Sequence, residues 1–121
     1  MLAAQRWSGA YYLAGYAVEC AFKACVVGRV AAAPELVFLD KKFSEKCWSH
    51  DFEALAKLAD LDGTLAAELK LNVDFHKNWL LVSGWREQSR YDQKSQAEAQ
   101  VLFDAVSDKQ NGALKWVRAH W

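Results

Sequence analysis

Proline occurs only once in this chain of 121 residues, methionine once and cysteine three times, and positive and negative side chains balance at 15 each. With its sole proline at Pro34, the chain has little else to break a regular helix. Cys20, Cys25 and Cys47 are odd in number, and the first two are five apart, a spacing that points them to different sides of a helix. Neither a disulfide framework nor a zinc site is expected, and reduced thiols packed as small apolar groups fit a cytoplasmic protein. A net charge of zero supplies no overall field toward nucleic acid or anionic lipid, so any polyanion site must be local. The N-terminus lacks a basic segment followed by an uninterrupted apolar run and a small-residue cleavage site, and no secretory signal is expected. Strand alternation, internal repeats, low-complexity linkers, glycine-rich phosphate loops and nucleophile elbows are all missing.

What is present is helical periodicity. Residues 10–25, AYYLAGYAVECAFKAC, are apolar enough to raise the question of a membrane span, yet Glu19 and Lys23 sit in the middle. On insertion scales each such charge is penalised by roughly 3 kcal/mol, which excludes the span. On a helix, Ala10, Ala14, Ala17, Ala21 and Ala24 form one narrow stripe, the expected seam for close helix packing. Tyr12, Tyr16, Glu19 and Lys23 form a second, with Glu19 to Lys23 in the favourable i to i+4 orientation for an ion pair. Tyr11, Val18, Phe22 and Cys25 form a third, so most of the girth of the helix is expected to be packed.

This first helix is expected from about Ala3 to Arg29, loosening at Gly28 and stopping before Pro34. Residues 35–48 lack a clean period and read as a connecting loop with at most a short helical turn. Ser49 can cap a short second helix at about 50–60, whose apolar face is Phe52, Leu55, Ala56 and Leu58. Asp62 can cap a third, in which Leu65, Leu69, Val73, His76 and Leu80 keep helical spacing to Ser83 and Gly84. A fourth carries Ala99, Leu102, Phe103, Val106, Leu114 and Val117, with Asn111-Gly112 as a turn signal that separates a terminal segment, ALKWVRAHW. The expected fold class is all-α: a single domain over residues 1–121, an up-and-down four-helix bundle with a long first helix, a short second one and a possible extra C-terminal segment.

The residues best suited to chemistry lie in GWREQSRYD, residues 84–92. Arg86 and Arg90 beside Trp85 and Tyr91 can hold a phosphate through forked hydrogen bonds while a base stacks on a ring. The structural alternative pins Trp85 and Tyr91 to the core and leaves the arginines to helix-end carbonyls or Asp92. Lys23 and His50 are further candidates for the same ligand, with helix ion pairing and capping as their plainer roles. His76 reads as a core residue and His120 as a terminal one, and the three histidines show no mutual spacing that a metal needs. No metal and no cofactor are expected.

The segments YYLAGYAVECAFKA, SHDFEALAKLA, WREQSRY and GALKWVRAHW together resemble the HEPN family (higher eukaryotes and prokaryotes nucleotide-binding) over nearly the whole chain. The resemblance implies an up-and-down helical bundle, a homodimer, and a nucleotide or RNA as ligand. It also implies a possible nucleotidyltransferase-like partner protein, as in toxin–antitoxin pairs. Many members are ribonucleases carrying an arginine, four to six residues, then a histidine. Here the residues five to seven before His50 are Phe43, Ser44 and Glu45, before His76 Leu69, Lys70 and Leu71, and before His120 Ala113, Leu114 and Lys115. Arg90 stands where the resemblance places the histidine, and arginine keeps its proton near neutral pH and cannot act as a base. The expected function is therefore non-catalytic binding of a nucleotide or RNA phosphate. The alternatives are a structural or interaction dimer, which six tryptophans favour, and a metal-independent ribonuclease with an altered site.

Overall fold

The computed structural model describes residues 2–121, excepting the side chains of residues 2–5 and of Arg90. Among the described residues the chain is all-α with no strand, folded as a helical bundle. The elements are α1 (Leu2–Ala32), α2 (Leu36–Leu39), α3 (Phe43–Lys46), α4 (Phe52–Leu58), α5 (Asp62–Leu71) and α6 (Val73–Ser83). A 3-10 turn follows at Glu87–Tyr91, then α7 (Gln96–Ser107) and α8 (Ala113–Arg118). The long α1 is the axis of the bundle, packed on α7, α4, α8 and the 3-10 turn.

Local chemistry sets the boundaries. α1 runs through Gly28 to Ala32, and Ala33 and Pro34 close it rather than the glycine. The segment expected to be a loop folds into two single-turn helices, α2 and α3, tied by Asp40, which accepts from the Lys42 amide and the Lys46 ammonium. α4 is capped by Asp51, whose carboxylate accepts from the amides of Glu53 and Ala54, while Ser49 instead accepts from the Asp51 amide. The expected third helix is two helices. Asn72, extended at φ −123° and ψ 99°, ends α5 and caps α6 by accepting from the Phe75 amide. Its side-chain amide donates to Asn111 at 2.8 Å, so the break is held by the turn before α8. Ser95 and Glu98 form a reciprocal capping box on α7.

The inner face of α1 differs from the expected alanine seam. Gly15, Val18, Glu19, Phe22, Cys25 and Val26 are buried, whereas Ala10 is exposed and Ala14, Ala17 and Ala24 are only half-buried. Of the alanines, Ala21 alone is buried fully, because the stripe runs along the border of the packed face and not down its middle. The seam is the set that includes Val18, Phe22 and Cys25, with Gly15 at its N-terminal end. A methyl group on Gly15 would stand 2.3 Å from the ring of Trp85, so only glycine lets that ring lie on the helix backbone.

Trp85 continues a chain of rings through the core. It stacks on Phe52 at 5.5 Å between centroids and lies 5.9 Å from Tyr12; Phe52 meets Phe22 and Trp79, and Phe75 joins Trp79 to Trp116. These contacts tie α1, α4, α6 and α8 into one core. The indole N–H of Trp85 has no acceptor, and its cost is set against the burial of the largest side chain in that layer.

Candidate anion-binding face

Glu19 is the one ionisable side chain at the centre of this face and is only 3% exposed. Its two oxygens are shared: His50 Nδ1 lies 2.8 Å from Oε1, and Lys23 Nζ lies 3.3 Å from Oε2. The i to i+4 spacing on α1 delivers Lys23, and the chain arriving at the Asp51 cap delivers His50. A buried carboxylate without partners is costly, so Glu19 is in effect the tie between α1 and the entrance to α4. With Nδ1 turned to the carboxylate, Nε2 is the ring nitrogen of the exposed His50 left to face a ligand. Beside the cluster, exposed Tyr16 stacks on Tyr12 at 5.8 Å. Its phenol is held above its ordinary pKa, first by the adjoining Cys20 thiol and in smaller part by the negative charge of Glu19.

The loop after α6 approaches the same helix entrance. Arg86 is exposed and lines a cavity of about 190 Å³ together with Asp51, Phe52, Glu53 and Ser83. Lys23, His50 and Arg86, far apart in sequence, thus converge around the start of α4, with Glu19, Asp51 and Glu53 interleaved among them. The loop is held firmly from beneath. Buried Ser89 accepts from the Arg86 amide at 3.2 Å, the Lys94 amide donates to the hydroxyl of Ser8 at 2.8 Å, and the Lys94 ammonium lies over the Tyr11 ring.

The other candidates divide. Trp85 is 2% exposed between Gly15 and Phe52, so it is the foundation of the loop and offers no ring face to a base. Tyr91, at the end of the 3-10 turn, is exposed and supplies a ring on that side. The side chain of Arg90 lies outside the described residues. His76, read as a core residue, is exposed on α6, and His120 packs against Trp116 at 4.6 Å between centroids. Among the described residues no group of histidine, cysteine and acidic side chains could hold a metal ion.

Sequence reasoning passed over a second basic and aromatic region. A cavity of about 580 Å³ at the end of the bundle is lined by Val106, Leu114, Lys109, Lys115, Arg118 and Trp121, among others, and the Arg118 guanidinium lies 5.1 Å from the Trp121 ring centre. The signal was the cluster of three cations within ten residues of one another. Nearby, Asp108 is held below the usual carboxylate range by the amides of Asn111 and Gln110. No helix among the described residues is long and apolar enough to cross a membrane. No family model, no curated protein and no solved structure matches the chain.

Proposed function

We propose that this chain is a HEPN-like cytoplasmic module that binds a nucleotide or RNA phosphate, without cleaving it, on the face where α1, the α4 entrance and the loop after α6 meet. The observation that carries the reading is the convergence of Lys23, His50 and Arg86 from three distant segments around one helix entrance. Arg86 supplies forked donors to a phosphate, His50 an imidazole nitrogen, Lys23 a point charge, and exposed Tyr91 and Tyr16 ring faces on which a base can stack. The resemblance to HEPN proteins supports the same ligand class. The spacing of arginine and histidine that accompanies cleavage in the family is missing, and binding is the activity that remains.

The test is a fluorescence-anisotropy titration with a labelled single-stranded RNA, alongside calorimetry with AMP. Arg86→Ala weakens binding about tenfold and lowers the salt slope by about 0.7, the share of one phosphate contact on a single strand. Equal affinity and equal slope in the variant would remove Arg86 from the site.

A second reading, an interaction module that pairs with itself or with a nucleotidyltransferase-like protein, is favoured by a different observation: the large apolar side chains of Trp48, Phe38 and Leu39 are exposed.

A further inference from the structure

α2 buries less than its composition would lead one to expect. It reads LVFL, four apolar residues of which none is buried, with Phe38 86% and Leu39 77% exposed. One turn of helix is too short to persist on its own hydrogen bonds, and such a piece is ordinarily held by packing an apolar face. Leu36 reaches the edge of the core, and both Leu36 and Leu39 line a cavity.

That cavity, about 540 Å³, is bounded by the end of α1, by α2 and α3, and by α4. Buried Phe43 and Leu58 join Leu36 and Leu39 in its apolar lining. Its volume falls in the range of small-molecule sites, roughly 300–1,000 Å³, which combine apolar walls with a few placed polar groups. It shares no lining residue with the cavity beside Arg86.

The polar groups here are mostly positive: Arg29, Lys46 and Lys57 stand against a single carboxylate, Asp40. Asp40 is already taken, since it accepts from the Lys46 ammonium at 2.7 Å and from the Lys42 amide at 2.9 Å. Arg29 and Lys57 remain. The Arg29 guanidinium donates through one nitrogen to the Leu58 carbonyl at 2.7 Å, which fixes the group and leaves the rest of its fork without a partner among the described residues. The ammonium of exposed Lys57 makes no ion pair or hydrogen bond among them either.

We infer that this cavity binds a medium-chain aliphatic carboxylate, with its carboxylate on Arg29 and Lys57 and its hydrocarbon tail between Leu36, Leu39, Phe43 and Leu58. A planar guanidinium suits a carboxylate better than any other small anion of single charge. Asp40 at the same cavity disfavours a head of higher negative charge, such as a phosphate monoester. The leucine walls offer no partner to the hydroxyls of a sugar, so a nucleotide is a poor occupant. The tail supplies what α2 lacks, an apolar surface for Leu36 and Leu39 to close upon.

Isothermal titration calorimetry with octanoate tests the site, with acetate, octanol and octyltrimethylammonium as comparators. Octanoate binds one to a chain and raises the melting temperature. Acetate, which lacks the tail, and octyltrimethylammonium, which carries the wrong charge, show no saturable binding, and octanol binds about tenfold more weakly than octanoate. Arg29→Gln weakens octanoate about tenfold. Because Arg29 also holds the end of α4, two exposed positions keep the test independent of folding. Lys57→Gln weakens octanoate about threefold and leaves octanol unchanged, whereas Leu39→Ser weakens both. Failure of octanoate to bind, equal affinity for octanol, or unchanged octanoate affinity in both exposed variants would each overturn the proposal. So would a chain that ignores octanoate but sediments with phosphatidylglycerol vesicles, which would make this face a membrane-docking surface.

Discussion

Glu19 and Cys20 are neighbours in sequence and opposites in circumstance: the carboxylate is almost wholly buried and twice bonded, the thiol is exposed. The boundary between them divides α1 into an inner and polar flank, where Val18, Glu19, Phe22 and Cys25 are buried, and an outer face where Gly9, Leu13, Cys20 and Val27 are exposed. Gly15 and Gly9 show the same contrast, since one is fixed by an indole ring and the other by no intramolecular contact. A long helix can therefore be apolar around most of its girth for two different reasons, and only contacts tell them apart.

Substitutions matched across the boundary should differ in size and in sign. The largest effect is expected from the tryptophans: Trp85→Ala empties the centre of the ring chain and costs about 3–5 kcal/mol, whereas Trp48→Ala leaves the single chain within about 0.5 kcal/mol of wild type, both read by urea melts. Gly15→Ala should follow, losing about 1–3 kcal/mol as the Trp85 ring is displaced. Gly9→Ala should instead gain up to about 1 kcal/mol from helix propensity, since a methyl group there meets nothing within 4 Å. A loss of stability in both glycine variants would erase the distinction between the two faces.

The smallest effect is a pH dependence that belongs to neither face of α1. Asp40, Glu98 and Asp108 have carboxyl groups held below their ordinary values, first by hydrogen bonds from Lys46, from Ser95 and from the Asn111 amide respectively. A carboxylate depressed on folding stabilises the folded state fully above its unfolded value, about 4, and that contribution is lost as pH falls through the folded value. Melting temperature should decline below about pH 4, and Asp108→Asn should make the decline shallower while lowering the plateau at neutral pH.

Much of the fold could be read from sequence, and the misses have definite causes. The α4 apolar face, the burial of Ala99, Leu102 and Val106 on α7 and the break at Asn111-Gly112 were legible because period and turn chemistry agreed, whereas Phe103, expected in the same stripe, is exposed. The break at Asn72 was not, since Leu65, Leu69, Val73, His76 and Leu80 keep their spacing across it. Val73, His76 and Leu80 prove exposed, and the cap depends on Asn111, 39 residues away. The seam of α1 was misplaced because alanines and larger apolar residues ring the helix, so period alone cannot choose the inner side. The ion pair of Glu19 and Lys23 was legible from spacing, whereas the meeting of Glu19 with His50 was not, because it spans 31 residues and two elements. Trp85 read in sequence either as a stacking platform or as a pin between the loop and the core, and it is the pin. What sequence did not pair was Trp85 with Gly15, 70 residues apart, whose missing side chain makes room for the ring.

The division of labour around α1 is tested most directly by a ¹⁵N–¹H NMR titration of the intact chain with a short single-stranded RNA. Amides from His50 to Glu53 and from Arg86 to Tyr91, with Lys23, should shift together and saturate along one curve, while Gly9, Leu13 and Val27 stay in place. Saturable shifts along the Gly9 to Val27 face, with the α4 entrance unmoved, would contradict the account.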